Sequence, residues 1–126
     1  MYIYIGIEDL VANALIGLAE QQIRRVSLST LANYGTVIVK LLSQSGQDAI
    51  MLVTKESTYD FVHDYAEFFS IGSYGNTEYI ELRDGITAID LRRQFRKNLT
   101  VDIARVLLQQ EPLDVLRNCE AIQGAK

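Results

Sequence analysis

Residues 26–46 read "VSLSTLANYGTVIVKLLSQSG", and the fold turns on whether they make one helix or break into a strand. Leu28, Leu31, Gly35, Ile38 and Leu42 recur at three-four spacing, the mark of a buried helical stripe. Against this, Thr36 to Val39 are four consecutive β-branched residues behind a glycine, which favours a strand. The helical period runs the length of the segment and predicts a helix over about 29–44. A hairpin over 36–54, giving an α+β fold, is the alternative.

Upstream, "MYIYIGI" alternates tyrosine and isoleucine as far as Gly6, which predicts a strand over 2–6. From Glu8 the apolar positions change to a helical period, with acids in the first turn. That helix is expected to end near Arg24 and Arg25, whose charges suit its negative terminus.

Downstream, the continuously apolar "AIMLV" at 49–53 reads as a strand covered on both faces. Ser57 and Asp60 form a Ser-x-x-Asp box, with a helix from there to about Phe69. "GSYGN" at 72–76 reads as a turn and "TEYIEL" at 77–82 as a strand. Thr87 and Asp90 make a second box, opening a helix over 87–97. Further helices are expected over 100–110 and, led by Pro112, over 112–121. Strand, helix, strand between 48 and 82 suits a parallel βαβ unit. The expected fold is therefore a single small α/β domain over 1–126, with about three mostly parallel strands and about five helices.

The totals are ordinary for one globular domain: 126 residues, 48% hydrophobic and 22% charged. The apolar run Leu10–Ala19 is about half of the roughly twenty residues that span a bilayer. Glu8 and Asp9 precede it where a secretory signal carries positive charge. Cys119 is the only cysteine, which excludes an intramolecular disulfide and any metal-thiolate cluster. No membrane association is expected, and a cytoplasmic location is.

Charge is unevenly spread. Residues 83–105 hold six Lys/Arg against three acids, a net of +3, so a chain of net charge −4 carries −7 elsewhere. Residues 56–81 carry six acids and no Lys or Arg. On the helix over 87–97, Ala88, Leu91 and Phe95 share one face while Arg92, Arg93, Arg96 and Lys97 take the rest. That cluster is the expected site for a partner protein, a second copy, or nucleic acid. A base-reading helix is not indicated elsewhere: "TVIVKLLS", the would-be recognition helix after "LSTLANYG", offers one Lys and no Arg.

Two weaker constellations remain. Asp60, His63, Asp64 and Glu67 fall at helical spacing that could collect metal ligands, although His63 is the only histidine. Lys55, Ser57, Thr58, Arg83 and Thr87 sit beyond expected strand ends, where an open α/β sheet places an anion. The P-loop, the dinucleotide glycine fingerprint and a nucleophile elbow are absent. No cofactor is indicated. The reading is a small non-catalytic interaction or regulatory protein, self-associating through complementary acidic and basic surfaces into a homo-oligomer. Nucleic-acid binding through the basic helix is the second reading, and a small anion- or metal-dependent enzyme the third.

Overall fold

The decisive segment is one helix. In the computed structural model, which describes residues 2–95, helix α2 spans Leu28–Gln44 and buries Leu31, Tyr34, Gly35, Ile38 and Leu42. Ser27 caps it, its Oγ accepting from the Thr30 N–H at 3.0 Å. The Thr36 hydroxyl donates to the Ala32 carbonyl at 3.1 Å, so this polar β-branched side chain finds a partner within the helix. At the end, Gln47 N–H donates to the Leu42 carbonyl and Gly46 N–H to Ser43, with Gly46 at φ +82°: a Schellman stop. The hairpin alternative over 36–54 is overturned.

Around α2 the order is β1 (Tyr2–Gly6), α1 (Ile7–Glu20), β2 (Arg25–Ser27), α2, β3 (Asp48–Leu52), α3 (Lys55–Asp64), β4 (Phe69–Tyr74), β5 (Thr77–Leu82) and α4 (Ala88–Phe95). Strands β1 and β3 pair in parallel, while β2, β5 and β4 form a separate antiparallel sheet in that order. The described residues thus make a mixed α/β fold of four helices and five strands. The expectation of mostly parallel strands is corrected, because β5 does not join the β3 sheet; it is the centre of the other one. The helices expected over 100–110 and 112–121 lie outside the described residues.

Three elements also differ in their bounds. Helix α1 stops at Glu20 because Gln22 takes the left-handed conformation at φ +61°, with Gln22 N–H bonded to Ala19 and Ile23 N–H to Leu18. This is a Schellman stop built without glycine, which no composition cue announces, and Arg25 begins a strand instead. A non-glycine residue there costs about 1 kcal/mol. Gln22→Gly is accordingly expected to raise stability by ~0.5–1 kcal/mol in urea unfolding, and a loss would remove this account of the helix end.

Helix α3 starts at Lys55, capped by Thr54 and not Ser57, and ends at Asp64 rather than Phe69. Strand β4 runs through Gly72, which the sequence assigns to a turn. The space where a Cβ would stand is 2.6 Å from the Glu81 carboxylate, so a glycine here marks close approach within a strand.

The core lies between the two sheets and the helices. Ile5, Leu10, Leu15, Leu31, Leu42, Phe69, Ile80 and Leu91 are sealed from solvent. One polar pair is enclosed with them: the Tyr34 hydroxyl donates to Asn13 Oδ1 at 2.7 Å, joining α1 to α2. Strand β3 is not covered on both faces; Ala49 and Met51 point inward and Ile50 and Leu52 outward.

Candidate functional site

Helix α4 carries the basic cluster as its amphipathic period requires. The Thr87–Asp90 box forms, Asp90 Oδ2 accepting from Thr87 N–H at 2.8 Å, and this bond holds the Asp90 carboxyl below its usual range. Leu91 and Phe95 are buried, and Phe95 joins the rings of Phe61, Tyr65, Phe68 and Phe69. The cations face water: Arg92 pairs with Glu20 at the end of α1, and Arg93 is exposed. Arg96 and Lys97 lie outside the described residues.

Helix α3, beside α4 across the aromatic cluster, turns an acidic face outward. Glu56, Asp60, Asp64 and Glu67 are all exposed, as is His63. The early start at Lys55 makes Asp60 a mid-helix residue rather than a cap. The end at Asp64 takes Glu67 off the helix, so the spacing that grouped Asp60, His63, Asp64 and Glu67 no longer places four ligands on one face. Among the described residues no cluster of three or more His, Cys, Asp or Glu is arranged to hold a metal ion.

The five residues proposed for an anion do not converge. Lys55 and Thr58 line a cavity of about 380 Å³ between the starts of α2 and α3 and the β4–β5 hairpin. Ser57 is taken by the cap, exchanging bonds with Thr54 at 2.9 and 3.0 Å, and the Thr58 hydroxyl donates to the Thr54 carbonyl. Arg83 sits past the far end of β5, its Nε on the Ala66 carbonyl, and Thr87 is committed to Asp90. Lys55 already has its counter-charge, Glu78 Oε1 at 3.1 Å.

Two groupings escaped the sequence reading. On the cavity rim the Tyr59 hydroxyl donates to the Glu78 carboxylate at 2.6 Å, and Lys55 completes a three-residue cluster from α3 and β5. On the outer face of the antiparallel sheet the Arg25 guanidinium lies 4.3 Å from the Tyr74 ring centroid and 4.7 Å from that of Tyr79. Glu81 is 3.8 Å away. The alternation in "TEYIEL" does put Tyr79 and Glu81 on one face; what was missing was β2, whose three residues bring Arg25 opposite Glu81.

The rim cluster has a pH signature. Tyr59 first, then Lys55, hold Glu78 below its ordinary 4.5. A carboxyl lowered in the folded state contributes stability that is complete above its unfolded value and disappears as pH falls through the folded one. The stability difference between the wild type and Glu78→Gln is therefore expected to be level from neutral pH down to about 5 and to shrink below it. Urea melts across that range measure it, and a difference unchanged at low pH would contradict the assignment.

No protein-family model, curated protein or solved structure matches this chain. No described helix is long and apolar enough to cross a membrane.

Proposed function

We propose that the chain is a small non-catalytic protein–protein interaction or regulatory protein that self-associates, the acidic face of α3 in one copy meeting the basic face opened by Arg92 and Arg93 in another. The observation that carries this reading is the exposed acids Glu56, Asp60 and Asp64 of α3, with Glu67 just past its end, which have no ion partner among the described residues. Three acids elsewhere do meet a base: Glu20 with Arg92, Glu78 with Lys55 and Glu81 with Arg25. Complementary potentials of this kind act on association rate and specificity more than on raw affinity, so the complex is expected to be weak and salt-sensitive.

Sedimentation velocity over a concentration series tests it. The dimer fraction should fall several-fold between low salt and about 0.5 M, where the screening length is only a few ångströms. Asp60→Lys with Asp64→Lys should lower it at low salt. A chain that sediments as a monomer at every salt and concentration would end the proposal. Titrating single-stranded DNA and RNA at low salt tests the second reading, in which Arg92→Ala with Arg93→Ala should weaken binding.

A further inference from the structure

The cavity of about 380 Å³ is enclosed by the first turns of α2 and α3 and by the β4–β5 hairpin. Its volume lies at the small end of the range found for ligand sites, which are mostly apolar with a few placed polar groups. The lining here has that make-up. Leu28, Leu31 and Ala32 of α2 and Val53 after β3 are its apolar part, and Lys55 and Glu78 stand together on the rim, Nζ to Oε1 at 3.1 Å.

The elements that carry the two charges are held in place. The start of α3 is fixed by the exchange between Thr54 and Ser57, at 2.9 and 3.0 Å. The hairpin closes through Gly75 and Asn76 alone, with Gly75 at φ +65°, a two-residue turn whose twist matches the strands it joins. This turn brings Asn76 to the cavity lining and sets Glu78 two residues beyond it. A site formed before its ligand arrives avoids most of the ordering cost of binding.

We propose that the cavity binds a free α-amino acid with an aliphatic side chain, its carboxylate on Lys55, its ammonium on Glu78 and its side chain among Leu28, Leu31, Ala32 and Val53. Charge selects this class. A bare anion at Lys55 meets the Glu78 carboxylate, and a bare cation at Glu78 meets the Lys55 ammonium. An α-amino acid carries both signs on one carbon, about as far apart as the two rim charges, so it lies across the pair with opposite signs facing. Both rim groups have capacity left. Lys55 has three donors and one acid partner, while Glu78, which accepts from Tyr59 and Lys55, has two oxygens with about four acceptor positions. The Lys55 side chain is 67% exposed, and an ion pair so open to water contributes little by itself, so a ligand inserted beside it sacrifices little. Neither Lys55 nor Glu78 takes part in the proposed contact between copies, and the two readings therefore fail separately.

Titrating the full-length nitrogen-15 protein with L-leucine tests the proposal. Amide signals of Leu28–Ala32, Thr54–Thr58 and Asn76–Glu78 should shift saturably, with a Kd of about 1 mM or tighter. The same carbon skeleton without the ammonium, 4-methylpentanoate, and without the carboxylate, 3-methylbutylamine, should each bind at least ~10-fold more weakly. Lys55→Met and Glu78→Gln should each weaken leucine by a similar ~10-fold. Glu78→Gln should leave 4-methylpentanoate binding as tight as before or tighter, which a mere loosening of the hairpin would not do. Absence of saturable shifts with leucine, shifts confined to other parts of the chain, or either singly charged analogue binding as tightly as leucine would overturn the proposal. The analogue series uses the wild type and stands even should a variant fail to fold.

Discussion

Replacing Phe95 by alanine is expected to cost about 3–5 kcal/mol of folding stability, a large part of the roughly 5–15 kcal/mol that holds a domain of this size together. The ring is 3% exposed, with centroids 4.9 Å from Tyr65, 6.0 Å from Phe61 and Phe69 and 6.1 Å from Phe68. Those rings belong to α3, its trailing turn and β4, each held by its own bonds: Tyr65 N–H to the Phe61 carbonyl, Phe68 N–H to the Tyr65 carbonyl, and the β4–β5 ladder. None is free to move into the gap, so the transfer loss and the cavity cost add. Ile89→Ala is the control: at 63% exposed on the same helix it should change stability by no more than ~0.5 kcal/mol. Urea unfolding of the two variants decides. Were Phe95→Ala to lose under ~1 kcal/mol, α4 would not be anchored by this residue, and the outward placement of Arg92 and Arg93 would lose its physical basis.

That anchoring was legible in the sequence because both of its signals are local. The Thr87–Asp90 box and the Leu91–Phe95 spacing lie within nine residues, and both operate as read. Helix α2 was legible for the same reason: its buried stripe runs over four turns and outweighs the β-branched run at Thr36–Val39. What could not be read depends on distant contacts. The strand through Gly72 requires Glu81 beside it, and β2 is too short to show an alternation of its own.

The candidate surfaces divide along the same line. Periodicity alone put Arg92 and Arg93 on the wet side of α4, but the partner of Arg92 is 72 residues away, at Glu20. The acidic positions are exposed, whereas their grouping as four ligands failed because α3 ends at Asp64 and leaves Glu67 off the helix. Lys55 and Thr58 line one cavity, while Arg83 and Thr87 were grouped with them by a sheet order that does not exist. Positions relative to one helix survive; positions relative to another strand require the topology.

The contact between α2 and the parallel pair supplies the second large effect. A Cβ built on Gly35 would overlap Met51 Sδ and stand 2.9 Å from Cδ1 of Leu10, a residue with no exposed surface. Alanine in a helix interior is favoured over glycine by about 1 kcal/mol, so in Gly35→Ala this gain and the overlap oppose each other and the net change is small. Valine adds two methyl groups in the same place and loses most of the propensity gain. Gly35→Val is therefore expected to destabilise by ~2–3 kcal/mol, the upper range of overpacking. Met51 is an adaptable side chain on β3, and truncating it opens the space the valine needs. The double variant Gly35→Val with Met51→Ala should be more stable than the sum of the single losses by at least ~1 kcal/mol, a coupling of the size seen for residues in contact. Chemical denaturation of the four proteins in the cycle measures that coupling. Losses that add to within about 0.5 kcal/mol would mean α2 does not sit against β3 at Gly35, and the close approach that fixes the parallel pair to the body of the molecule would have to be redrawn.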